Sequence, residues 1–343
     1  MFGISNSTLQ WIKSFLEDRQ MKVTVRSSCS HWVEVVSRVL QGSVLGPLLF
    51  LIYVNDLPAW IKTNIKMFAD DTKLWNTIQQ ESNSQELQED LDKLREWSNK
   101  WLLDFNIEKC KVMHVGHKLA TSYSISRADG TLCTLEEVNE EKDLGVILTD
   151  DLKPGRQCRE AARKAMNVLR TIKRSFTRLD KATFLILYKS YVRPLLEYSI
   201  QAWSPCHRKD ISCLKQVQRR ATKLLVGLKR LEYADRLKQL GLTTLEKRRI
   251  RGDLIETFKI VTGREKRKME DFFQCNKSNC NLRGHQFNVT VHRSRTTTRS
   301  SFFSQRVVNI WNSLSTSVVS ASSMNNRIRT IPSLAPNTQY FGV

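Results

Sequence analysis

Asp70 and Asp71 stand side by side in Lys66-Met67-Phe68-Ala69-Asp70-Asp71-Thr72-Lys73-Leu74-Trp75, between two apolar arms. Like charges a few ångströms apart repel, so the pair asks for a counter-charge. Carboxylate and phosphate oxygens together suit Mg²⁺ (or Mn²⁺). The same dipeptide also serves a plain polar hairpin turn. Upstream, Gln41-Gly42-Ser43 precedes an apolar run. A glycine there lets backbone approach a ligand closely, and it equally suits an ordinary strand-to-helix turn. Cys275, Cys280, His285 and His292 are zinc-type donors. Their first spacing is wide and holds no glycine, so reduced thiols and a solvated histidine fit better than a zinc knuckle. Cys206, His207 and Cys213 lack a second pair of donors. Trp97, Trp101 and Trp311 read as core residues rather than as stacking platforms.

The elements that must position these residues follow from periodicity. Residues 5–20 read as a helix, and Met21–Ser27 with Trp32–Ser37 as an antiparallel hairpin. Gly46-Pro47 opens an apolar helix to about Asp56, closed by Pro58. Residues 66–75 form a second hairpin with the aspartates at its turn. Ser84–Asp104 is amphipathic, with Leu87, Leu91, Leu94, Trp97 and Trp101 on one stripe. Strands follow at Lys111–Val115, Tyr123–Ser126 and Leu144–Leu148. Beyond Pro154-Gly155 the pattern is helical: Cys158–Thr177, Ala182–Tyr198, Ile211–Leu228 and two helices within 231–262. From Gly263 the chain is basic and Ser/Thr-rich, with an amphipathic stretch at Phe302–Leu314. The fold class is α+β.

Composition bounds the rest. The 343 residues are 41% hydrophobic and 26% charged, enough for packed cores and against disorder throughout. Residues 1–30 lack a signal-peptide pattern, and the longest apolar run, Val44–Val54, is about half a bilayer span, so no membrane role and no secretion are expected. Eight cysteines at scattered spacings argue for a reducing compartment, nucleus or cytoplasm. The Arg264–Lys268 cluster is compatible with nuclear import and equally with solvated charge. The net charge of +21 divides unevenly. Residues 1–150 carry 16 Lys and Arg against 21 Asp and Glu, net −5, and residues 151–343 carry 39 against 13, net +26. A basic half of that strength predicts a polyanionic partner, most simply nucleic acid, on faces such as Arg219, Arg220, Lys223, Lys229 and Arg230.

Order and spacing sharpen this. QGSVLGPLLFLIYVNDLP followed by KMFADDTKLW resembles the palm of reverse transcriptases, specifically those of jockey-type non-LTR retrotransposons. Trp101–Lys111 is similar to the family's next palm motif. Lys142–Leu148 resembles the primer-grip strand, and LYKSYVRPLLEYSIQAWSP and SQRVVNIWNSL resemble the C-terminal region. The resemblance covers nearly the whole chain. It implies RNA-templated DNA synthesis by two-metal nucleotidyl transfer on an RNA template and DNA primer with dNTPs. Asp70 and Asp71 would be the metal ligands, and Gln41, Gly42, Ser43 and Phe68 would shape the nucleotide pocket. Lys109 would act near the phosphates, and Leu144 and Gly145 would lie in the primer grip.

The implied architecture is a partial polymerase palm (antiparallel sheet plus helices, residues 1–153). An all-helical thumb or connection region (154–262) and a partly disordered basic C-terminal region (263–343) follow. The chain also departs from the family. A third catalytic carboxylate is expected well upstream of the QGS turn, yet the acidic residues before Gln41 are Glu17, Asp18 and Glu34, none at the matching place. Arg38-Val39-Leu40 replaces the small or kinked residues favoured before Gln41. The expectation is an N-terminally truncated polymerase, inactive alone. The alternatives are a non-catalytic nucleic-acid-binding remnant and an unfolded product of a decayed reading frame. Oligomeric state is left open.

Overall fold

The computed structural model describes residues 3–36, 39, 42–116, 121–274 and 285–320. Contacts divide the chain into two compact units, Met1–Val112 with His117–Glu137, and Met113–Gly116 with Val138–Val343.

In the first unit, helix α1 (Asn6–Leu16) contributes no buried residue. Strand β1 (Gln20–Met21), β2 (Thr24–Val25), β3 (Ser28–Cys29) and β4 (Val33–Glu34) form one hairpin, with β1 paired to β4 and β2 to β3. Helix α2 (Leu45–Val54) follows. The Ser43 hydroxyl accepts the Gly46 N–H at 3.1 Å, supplying a partner for one of the orphan donors at that helix start. A short 3₁₀ turn, Leu57–Trp60, with Pro58 as its second residue, stops the apolar run.

Strands β5 (Asn64–Phe68) and β6 (Asp71–Trp75) pair in register, Phe68 opposite Asp71 and Asn64 opposite Trp75. Helix α3 (Glu81–Trp101) begins in a reciprocal cap between Gln80 and Asn83 and ends at Leu102, whose φ is 52°. Its apolar stripe meets the inner face of the hairpin. Val54, Leu57, Leu94 and Trp97 are buried there, with Ile65, Met67 and Leu74 packed against them. Strands β7 (Lys111–Val112), β8 (Ser124–Ser126), β9 (Leu132–Thr134) and β10 (Glu136–Glu137) complete the unit. β8 pairs antiparallel with β9, and β7 pairs parallel with β10. The Gln88 amide on α3 fastens β8, donating to Ser124 O at 2.8 Å and accepting the Ser124 N–H at 3.0 Å.

The second unit opens with the hairpin of β11 (Glu140–Asp143) and β12 (Val146–Thr149). Helix α4 (Gly155–Ser175) buries Cys158, Ala161, Ala162 and Ala165, a stripe of small side chains. Helix α5 (Lys181–Leu187) continues through a π-turn, Tyr188–Val192, into α6 (Arg193–Glu197). Next come α7 (Ile200–Trp203), α8 (Arg208–Thr222), α9 (Tyr233–Leu240) and α10 (Leu245–Val261). The small stripe of α4 lets α8 approach closely, and Leu214, Val217 and Ala221 fill the seam.

Beyond α10, residues 285–320 carry four short helices, α11 (Thr297–Ser300), α12 (Phe303–Arg306), α13 (Val308–Asn312) and α14 (Thr316–Val319). They share a core with α10 built from Leu254, Phe258, Phe303, Val308 and Trp311. Arg306 anchors this layer: its guanidinium donates to both oxygens of buried Asp253 at 2.9 Å and to the carbonyls of Ile200 and Gln201.

The mixed helix and strand content agrees with an α+β class. Among the described residues the β structure is a set of two-stranded pairs, five antiparallel and one parallel, without a larger sheet. No described helix is long and apolar enough to cross a membrane.

Candidate catalytic hairpin and nucleic-acid surfaces

Alternation along β5 and β6 turns Ile65, Met67, Thr72 and Leu74 inward and leaves Asn64, Lys66, Phe68, Asp71, Lys73 and Trp75 on the exposed face. Asp71 therefore shares a face with Phe68, directly opposite, while Asp70 sits in the two-residue turn. That turn requires a positive φ, and Ala69 supplies it at 52°. Tight hairpins usually place glycine there, since a Cβ in this region is strained by about 1–2 kcal/mol. The strain lies beside the two aspartates, where backbone outliers tend to gather when a site is over-determined by its surroundings. Both carboxylates are exposed, and neither takes a hydrogen bond or ion pair from another described residue.

The other site residues lie on separate elements. Gly42 has φ 86°, and nothing lies within 4 Å of a Cβ built on it, so its conformation demands glycine and the space beside it is open. Ser43 is committed at least in part to the start of α2. Gln41 lies outside the described residues. Lys109 ends a short 3₁₀ turn, Ile107–Lys109, is exposed, and makes no ion pair to Asp70 or Asp71.

Leu144 and Gly145 form the β11–β12 turn with φ of 45° and 85°. There the Tyr198 hydroxyl donates to Leu144 O at 3.0 Å, and the Tyr198 ring lies 3.4 Å from where a Gly145 Cβ would stand.

A two-metal centre needs several oxygen donors converging on one volume. Among the described residues no group of three or more His, Cys, Asp or Glu side chains is placed to hold a metal ion. The described residues therefore supply two adjacent carboxylates and no complete metal-pair site.

Residues 1–160 match the reverse transcriptase (RNA-dependent DNA polymerase) family. This segment is similar to the reverse transcriptases.

The relatives come from transposons and mobile elements of Drosophila. The chain is 29% identical over 248 residues to the RNA-directed DNA polymerase from mobile element jockey of Drosophila funebris, covering 65% of this chain and 25% of that protein. It is 26% identical over 230 residues to the probable RNA-directed DNA polymerase from transposon X-element of Drosophila melanogaster, covering 63% and 24%. The chain thus spans about a quarter of the length of the curated relatives it matches. No solved structure matches it. Reverse transcriptases generally depend on a divalent metal, and Asp70 and Asp71 fall inside the matched segment.

The basic residues expected to meet nucleic acid separate onto different faces. On α8, Arg219 stands over the Tyr233 ring, 5.1 Å from its centroid, whereas Arg220 faces α4. Lys223, Lys229 and Arg230 are exposed beyond the end of α8.

One expectation is corrected by the fold: His285 is not solvated. It is 3% exposed, its Nε2 lies 2.9 Å from Trp311 O, and its ring packs edge-on against Trp311. Residues 275–284 carry the other half of that zinc candidate and lie outside the described residues. Trp97 and Trp101 are core residues, as their spacing suggests. Both indole N–H groups donate to the Asp56 carboxylate, at 3.0 and 3.1 Å.

Sequence reading missed Asp56, Asp90 and Tyr198. Each acts on a partner at least 27 residues away, beyond the reach of any local pattern. Asp90 is fully buried and accepts the backbone N–H groups of Lys62 and Thr63, at 2.7–3.1 Å, and the Lys93 ammonium at 2.8 Å. Burial raises its pKa, but the Lys93 and backbone hydrogen bonds outweigh that and hold it below the ordinary carboxylate value. This carboxylate ties α3 to the residues that enter β5.

Proposed function

We propose that the chain is the part of a jockey-type RNA-directed DNA polymerase running from the metal-binding hairpin of the palm through the thumb. The observation that carries this is Phe68-Ala69-Asp70-Asp71 at a tight hairpin turn inside a segment of the reverse transcriptase family. In this reading Asp70 and Asp71 are two of the metal carboxylates, and Gly42, Ser43 and Phe68, with Gln41, border the nucleotide. Lys109 lies near the phosphates, and the Leu144-Gly145 turn holds the primer end. The helices from α4 onward, with Arg219, Arg220, Lys223, Lys229 and Arg230, would grip the primer–template, as the net charge of +26 over residues 151–343 supports.

In this reading the isolated chain does not polymerise, which is supported by the aspartate pair having no third donor among the described residues. A second reading, a nucleic-acid-binding protein without catalysis, draws on that same observation. The test is dNTP incorporation on a primed RNA template with Mg²⁺. The expected result is no incorporation above that of Asp70→Asn. Robust incorporation that Asp70→Asn abolishes would overturn the inactivity, and tight primer–template binding without incorporation supports both readings.

A further inference from the structure

Between the α4–α5 connection and the turn that follows α8, the second unit leaves an open groove of about 720 Å³. Arg178 and Leu179 line it from the connection, and Lys181 from the first position of α5. Leu225, Val226 and Leu228 line it from a short 3₁₀ turn, Val226–Leu228, and the residue before it. Leu225 is buried, and Leu179 and Leu228 are half-buried against the main core of this unit. The floor is therefore an outcrop of that core, held in shape by packing on its inner side. Val226 stands 89% exposed at the rim, and nothing lies within 4 Å of a Cβ built on Gly227 beside it.

The charge around this floor has one sign. Arg178 and Lys181 are exposed and make no ion pair among the described residues. Asp180, which lies between them in sequence, does not line the groove. Its carboxylate caps α5, accepting the N–H groups of Ala182 and Thr183 at 2.8 and 3.0 Å and the Thr183 hydroxyl at 2.6 Å. No acidic side chain lines the groove among the described residues.

These features select the occupant. Phosphates of a nucleic-acid strand would sit against leucines that offer them no hydrogen bond, so the apolar floor disfavours a nucleic-acid backbone. Pockets that hold a small ligand wrap most of its surface, whereas this groove is open to solvent. Two turns of an α-helix are about 11 Å long and about 10 Å across, which matches the groove in scale. A docked helix lays apolar anchors at i, i+3, i+4 and i+7 into such a floor. Acidic residues flanking those anchors would meet Arg178 and Lys181.

We propose that the groove beside Arg178, Lys181 and Val226 docks an acidic amphipathic helix of a partner protein. This goes beyond the polymerase reading and does not rest on it.

The test titrates the full chain into a labelled helical peptide of about 14 residues, with leucines at i, i+3, i+4 and i+7 and glutamates elsewhere, and follows anisotropy. Two variants alter only exposed side chains: Arg178→Glu with Lys181→Glu, and Val226→Asp. Glutamate in the first turn of α5 suits the helix dipole, so unchanged unfolding midpoints are expected. The expected result is saturable binding by the wild-type chain, weakened roughly tenfold by each variant. The charge-preserving exchange Arg178→Lys with Lys181→Arg should keep the affinity. The same peptide with lysines in place of its glutamates should not bind, a comparison that leaves the protein untouched. Equal affinity for polyglutamate, which lacks the anchors, would reduce the site to bare charge and overturn the proposal. Weaker binding of an RNA–DNA hybrid by the variants, with peptide binding unchanged, would overturn it in favour of nucleic acid. A wild-type dimer that Val226→Asp dissociates would overturn it in favour of a second copy of this chain. No peptide binding by the wild-type chain would remove the docking site and leave the polymerase reading intact.

Discussion

Asp90 shows how one residue can hold a candidate site without touching it. Its carboxylate, fully buried, satisfies two backbone N–H groups at the entry to β5 and pairs with Lys93. Removing it leaves those half-buried donors and a lysine unpaired, so Asp90→Ala is expected to cost about 2–4 kcal/mol in urea unfolding. The pH dependence has a definite sign. A carboxyl whose folded pKa lies below its unfolded value stabilises fully above that unfolded value, about 3.9, and the contribution fades as pH falls through the folded pKa. Wild type should therefore lose stability below about pH 4 more steeply than Asp90→Ala. Equal acid slopes would show that Asp90 does not supply the effect. The two exposed catalytic candidates behave differently: nothing in the fold leans on the carboxylates of Asp70 or Asp71.

At the scale of elements, the β11–β12 turn is the most constrained. Leu144 and Gly145 both carry positive φ, and the Tyr198 ring stands 3.4 Å from any Cβ added at Gly145. Gly145→Ala adds strain at a left-handed φ and crowds that ring, and we expect a loss of roughly 1–2 kcal/mol in thermal or urea unfolding. At Gly241, also left-handed (φ 62°) but open around its Cβ, the same substitution should cost less, because only the strain remains. Equal costs at the two sites would show that contact with Tyr198 contributes nothing. The 64–75 hairpin was legible as an element, since alternation and turn residues are local. The strand expected at Leu144–Leu148 is corrected to a hairpin of β11 and β12 that turns at Leu144-Gly145, because that turn's left-handed backbone leaves no mark in the apolar pattern. Neither hairpin's role was legible. The first takes its place from the packing of Ile65, Met67 and Leu74 on α3, and the second from a bond to a tyrosine 54 residues away.

For the whole molecule, exposure marks where the two units differ. Helix α2 is apolar on every side yet buries only Gly46 and Val54, leaving Leu48 at 54% and Leu51 at 51% exposed, beside Val44 at 93% just before it. A continuous apolar face of this kind drives self-association. Leu48→Gln with Leu51→Gln should leave the unfolding midpoint nearly unchanged, because glutamine is as good a helix former and little burial is lost. It should also lower light scattering as concentration rises. Unchanged scattering would show that this face is not the one that associates.

The second unit instead buries continuous cores, within which Asp210, Arg236, Arg249 and Asp253 are also buried. By itself the sequence determined the α+β class, the helical periodicities, the hairpins, the charge division and the family motifs, because each is a matter of composition or short spacing. Tertiary structure alone decided that Leu179 and Leu225 share a groove and that His285 is buried against Trp311. It also decided that the Asp70-Asp71 turn meets no third donor among the described residues. Those facts depend on packing between residues far apart in the chain, and no local pattern carries that information.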